Sequence, residues 1–100
     1  MTIEEIEQNT TVRQRQYLYR AVCERRAIRG SAVRTLAVIM HTYALRGPLG
    51  QSVRSVAMKR GLSHHGAWLH VYRLKAVGLL VDAANTVVPA VNWISAQEMR

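Results

Sequence analysis

Helix stop signals cut this chain at Gly30, at Gly47-Pro48, at Gly61 and at Gly78, and each stretch they bound is of helical length. Its core therefore has to be assembled from short helices. Thr10 or Thr11 can cap a first helix running to about Ile28, in which Leu18, Ala21, Val22 and Ile28 form an irregular apolar stripe among arginines, with Gly30 as its stop. Ser31 caps a second, whose Val33, Leu36, Ala37, Met40, Tyr43 and Ala44 follow the 3.6-residue period and belong in the core. The run Arg46-Gly47-Pro48-Leu49-Gly50 ends it and leads into a connector with room for a short strand. From Ser52 a short helix reaches Arg60 with Val53, Val56 and Ala57 inward. Ser63 caps the next, with Ala67, His70, Val71, Leu74, Val77 and Gly78 on one face and His65, Trp68, Leu69 and Tyr72 on the other.

After Gly78 the pattern changes. Leu79-Leu80-Val81 and Thr86-Val87-Val88 flank Asp82-Ala83-Ala84-Asn85, which predicts a β-hairpin whose second strand Pro89 limits. Asn92 can cap a last short helix carrying Trp93, Ile94 and Met99, expected to pack back on the second helix. The fold class is mainly α with a small β-hairpin, an α+β arrangement. Its expected divisions are an acidic segment over 1–10, an added helix over 11–30 and one domain over 31–100.

With 100 residues, 49% of them apolar, the chain can bury one core without disulfides or metals. The longest apolar runs, Leu36 to Met40 and Val77 to Val81, fall far short of the ~20 residues that cross a bilayer. Met1 to Thr10 carries Glu4, Glu5 and Glu7 and lacks the basic-then-apolar order of a secretory signal, so a cytoplasmic location is expected. The lone Cys23 can form neither an intrachain disulfide nor a cysteine-rich zinc site, and is expected to be buried.

The net charge of +8 is unevenly spread. Residues 11–81 hold thirteen Lys or Arg against the single acid Glu24, a local +12, whereas residues 1–10 carry −3 and residues 82–100 carry −1. Twelve of the fourteen cations are Arg, whose planar fork grips phosphate in two places and can pair with a guanine edge. Polyanions are the natural partners of such a surface, and no membrane partner is expected.

Catalytic chemistry has no visible machinery. His64, His65 and His70 fall within seven residues, but positions 65 and 70 lie on opposite sides of a helix and no cysteine or carboxylate completes a tetrahedral set, so no metal is expected. Cys23 has no identifiable base, and Gly47-Pro48-Leu49-Gly50 lacks the Gly-Lys-Ser/Thr of a nucleotide loop. No cofactor and no enzyme activity are expected.

The order helix, tight turn, helix, hairpin is what a major-groove reader requires, with Ala57 allowing close helix approach and Gly61 the turn. Across Ser52 to Val91, some forty residues, the chain resembles the winged helix-turn-helix of prokaryotic regulators such as the MarR and ArsR families. Ala57, Gly61, Leu62, Ser63, Ala67, Val71, Leu74, Gly78, Leu79 and Leu80 fill that pattern. The resemblance implies double-stranded DNA binding in transcription regulation, with the helix from Ser63 to Val77 in the major groove. Ser63, His64, His65 and Gly66 would lie at base edges with Trp68, Leu69 and Tyr72 beyond them, and Arg73 and Lys75 near phosphate. Ser52, Arg54 and, at the hairpin tip, Asn85 complete the DNA-facing candidates. Two features depart from the family. The hairpin from Leu79 to Val91 contains no Lys or Arg, and Trp68, Leu69 and Tyr72 stand where polar residues are usual. Those three either stack on thymine methyls and sugars or are covered by protein.

The helix over 11–30 is an addition to what such a domain needs to close its core, and a homodimer formed through it would set two reading helices about one DNA turn apart. Its Arg13, Arg15, Arg20, Arg25, Arg26 and Arg29 could instead reach flanking phosphates. The alternative function is a winged helix used as a protein-docking module in a replication or transcription assembly, centred on Trp68. RNA binding is a third reading without an RNA-module signature.

Overall fold

The computed structural model describes residues 3–46 and 50–90. Five helices precede one hairpin: α1 (Ile3–Asn9), α2 (Val12–Arg25), α3 (Ser31–Arg46), α4 (Val53–Arg60), α5 (His64–Ala76), β1 (Leu80–Ala83) and β2 (Thr86–Pro89). The class is that expected, helical with a small antiparallel hairpin. Asn92, Trp93, Ile94 and Met99 lie outside the described residues.

The middle of the fold is α3, which packs against α1, α2, α4, α5 and β2. Neighbours on so many sides explain why its buried residues, Ala32, Thr35, Leu36, Ile39, Met40 and Thr42, spread wider than a single amphipathic stripe. The expected Leu36 and Met40 are there, with Val33, Ala37 and Tyr43 packed at the edge. Thr35 and Thr42 carry no hydrophobic signal, and they are buried because partners answer their hydroxyls. Thr42 Oγ1 accepts from Lys59 Nζ at 3.0 Å, and Thr35 belongs to a network described below.

The amino-terminal third joins the same core. Ile3 and Ile6 of α1 and Tyr19, Val22 and Cys23 of α2 cluster with the apolar residues of α3, α4 and α5. Relative to the stripe read from sequence, α2 is turned by about one residue toward Tyr19 and Cys23, and Leu18 packs at the margin. The reason is polar. Tyr19 Oη donates to Glu7 Oε1 at 2.6 Å, while Glu7 Oε2 lies 3.2 Å from Arg15 Nε and 3.4 Å from His41 Nδ1. Arg15 Nη1 also donates to the carbonyls of Glu7 and Thr10. A phenol that would be costly to bury alone is thereby satisfied, and α1, α2 and α3 are tied at one carboxylate. Burial and the Glu7 carboxylate both push the Tyr19 phenol well above its usual range, and burial pushes the Cys23 thiol up to about 11, which leaves it inert.

Thr11 caps α2 in a reciprocal box: its hydroxyl accepts from the Gln14 amide at 3.1 Å and Gln14 Oε1 accepts from the Thr11 amide at 2.8 Å. The helix ends before the expected Gly30. Ile28 N–H donates to Cys23 O and Ala27 N–H to Glu24 O, the two bonds of a Schellman stop. Ala27, at φ 59°, holds the left-handed position that sequence reading assigns to glycine.

β1 and β2 pair from Leu80 opposite Pro89 to Ala83 opposite Thr86, joined by Ala84-Asn85 with Ala84 at φ 56°. Gln51 adds a single rung to β2, its N–H donating to Val87 O at 3.3 Å and its C=O accepting from Val87 N–H at 2.8 Å. In place of the short strand for which the connector had room, the described residues show this one isolated bridge. Gly50 is required beside it: φ is +65°, and a Cβ would stand 2.6 Å from Val88 Cγ1 and 2.7 Å from Val87 O.

Candidate nucleic-acid interface

α4 and α5 are joined by Gly61-Leu62-Ser63. Ser52 opens α4 by accepting from the Ser55 amide at 3.2 Å, and Ser63 opens α5 by accepting from the Gly66 amide at 3.0 Å. Between them Gly61, at φ 65°, lets Leu62 N–H reach back to Ala57 O at 2.9 Å, so the chain reverses in three residues. Val56, Ala57, Ala67, Val71 and Leu74 are buried between the pair and α3. Each fully buried Val or Leu contributes about 1.5–3 kcal/mol, and that burial sets which way α5 faces.

Its outer face carries His64, His65, Trp68, Leu69, Tyr72 and Arg73, all exposed. Three of the rings form a ladder. His65 and Trp68 are stacked with centroids 6.2 Å apart, and Trp68 and Tyr72 with centroids 5.4 Å apart. Trp68 is 43% exposed and Tyr72 56%, so no described element covers them. Gly66 is half-buried in the first turn, where an added Cβ would press on Ser63 Oγ at 3.2 Å.

The remaining predicted contacts are spread over other elements. Arg54 is exposed in the first turn of α4, and Asn85 is exposed at the hairpin tip. Lys75 pairs with Asp82 at 3.2 Å, a bond from α5 to β1, which leaves Arg73 as the α5 cation without such a partner among the described residues.

Sequence reading missed the tie that orients α5. His70 sits at the edge of the core, as expected, but with specific partners on α3: Nδ1 is 2.8 Å from Thr35 Oγ1 and Nε2 is 3.1 Å from Ser31 Oγ. Arg60, from the end of α4, donates from Nε to Thr35 Oγ1 at 3.2 Å and from Nη2 to Ser31 O at 3.3 Å. A neutral imidazole, with one donor and one acceptor, fits two hydroxyls. Burial, with Arg60 and Arg73 adding to it, holds the His70 pKa below its usual value. The only sequence signal was the i+4 spacing of Ser31 and Thr35, both polar, at the start of an apolar helix.

Among the described residues no group of His, Cys, Asp or Glu is placed to hold a metal ion, and no helix is long and apolar enough to cross a membrane. Comparisons with protein-family models, with curated proteins and with solved structures give no match.

Proposed function

We propose that this protein is a winged helix-turn-helix module that binds double-stranded DNA as a transcription regulator, with α5 in the major groove and β1–β2 as the wing. The observation that carries the reading is the outer face of α5, which begins at a capped helix N-terminus and presents His64, His65 and Arg73 to solvent on a chain with +12 over residues 11–81. An α-helix fits the major groove, and guanidinium–phosphate contacts supply most of the affinity for any duplex. Arg54 and Arg73 act on phosphate, and His64 and His65 on base edges. The protein works by binding, without catalysis, in the cytoplasm. Two copies meet through the outer face of α2, where Val12 is 62% and Tyr17 68% exposed. Arg73→Gln is expected to weaken binding to all duplexes alike, by about tenfold for one charge-assisted contact, while His65→Ala changes which sequences are preferred. Unchanged affinity and unchanged preference in both variants would overturn the reading.

A second reading is favoured by the ring ladder itself. Trp68, Leu69 and Tyr72 form an exposed apolar strip of the kind that docks protein, in a replication or transcription assembly. It predicts a protein partner that blue-shifts Trp68 emission while duplex DNA leaves it unmoved.

A further inference from the structure

A cleft of about 740 Å³ lies between α2 and α3, with no residue of α5 in its lining. Gln16, Arg20 and Glu24 line it from α2, Arg29 from the turn, and Ser31 and Arg34 from α3. Three exposed arginines and one exposed glutamate thus line one concavity, and no ion pair or hydrogen bond ties any of the three arginines among the described residues. Like charges gathered in one concavity repel each other and focus a positive potential into it, a cost that an anion would relieve. The volume is in the range of small-ligand sites. Arginine forks match the spacing of phosphate oxygens and bind them in pairs.

From this geometry we infer that the α2–α3 cleft is a binding site for a phosphate-bearing ligand, gripped by Arg20, Arg29 and Arg34. The phosphate comes either from a free phosphorylated small molecule or from DNA backbone outside the stretch that α5 reads. Glu24 disfavours a fully ionised group on its side of the cleft, and so fixes the ligand's orientation. At the α3 end Ser31 also holds His70, so the cleft adjoins the polar tie to α5.

The test is titration of the ¹⁵N-labelled chain with inorganic pyrophosphate, at fixed ionic strength. The site predicts saturable shifts concentrated on the amides of residues 20 and 28–34, and at least tenfold weaker binding for Arg29→Gln/Arg34→Gln. The control Arg13→Gln/Arg25→Gln, equal in charge but outside the cleft, should change it less than twofold. Shifts spread evenly over the basic surface, or equal weakening in the two double variants, would overturn the site. Duplexes of two lengths then identify the source. If it is backbone, the cleft variant loses tenfold on a long duplex, lowers the salt slope by about 2 and leaves a 10-base-pair duplex unaffected. If it is a small molecule, neither duplex responds and pyrophosphate still binds beside DNA. The pyrophosphate arm reads the cleft even for a chain that binds no duplex.

Discussion

α2 and α5 each pack one face on α3 and leave the other to solvent, but the outer faces have opposite character. The outer face of α2 is charged, with Arg13 and Arg25 exposed, and its one buried aromatic, Tyr19, is locked to Glu7. On α5 the aromatics are outside, Trp68 and Tyr72 stacked in water, and the polar group turned inward is a neutral histidine. An aromatic ring in the core stabilises the fold, whereas a ring kept on the surface contributes little to it and is available to a partner.

The largest expected effect breaks this contrast if it fails. Tyr19→Ala empties a fully buried aromatic site and removes the donor to Glu7 Oε1, and should cost about 3–5 kcal/mol in urea unfolding, against less than about 1 kcal/mol for Trp68→Ala. Equal losses would mean that the α5 ladder is structural.

The two helix stops sharpen the comparison at a smaller scale. α2 ends on Ala27 in the left-handed region, while α5 ends on Gly78 at φ 82°, where a Cβ would meet nothing. Ala27→Gly should therefore stabilise by about 1 kcal/mol and Gly78→Ala destabilise by about 1–2 kcal/mol, both read as shifts in urea midpoint at constant slope.

The smallest effect concerns how α5 is held. In the unfolded chain His70 titrates near 6.5, and folding lowers that value through burial and the charges of Arg60 and Arg73. Its contribution is complete above about pH 6.5 and is lost as pH falls through the lowered folded value, because the unfolded chain then binds the extra proton. Stability measured between pH 7.5 and 5.5 should decline more steeply in the wild type than in His70→Gln, whose amide keeps a donor and an acceptor. Identical pH profiles would remove His70 from the account.

Much of this was legible in residue order. The helix start at Ser52, the cap Ser63, the stop at Gly61, the inward face of Ala67, Val71 and Leu74 and the hairpin around Ala84-Asn85 are local signals, and local hydrogen bonds realise them. What escaped depends on contacts between distant residues. Glu4, Glu5 and Glu7 read as an acidic segment because the charges hide Ile3 and Ile6, which need α3 to become a core. Tyr19, outside the predicted stripe, is held in the core by Glu7, twelve residues away, and Ser31 and Thr35 gained their role from His70, more than thirty residues away. The α2 stop was misplaced because alanine holds a slot where glycine is the readable sign. On the outer face of α5 the composition was legible, but sequence left open whether Trp68, Leu69 and Tyr72 are covered by protein, and neither their exposure nor the stacking of the rings is specified by spacing.

The central claim is tested most directly by fluorescence anisotropy of a labelled random-sequence duplex over a salt series, with heparin and single-stranded RNA as competitors. The account predicts duplex binding that weakens steeply with salt, the logarithmic slope falling by about 0.9 for each phosphate-contacting arginine removed, beginning with Arg73→Gln. No duplex binding at low salt, with heparin and RNA equally inert, would contradict it and leave the α5 ring ladder as a surface for protein.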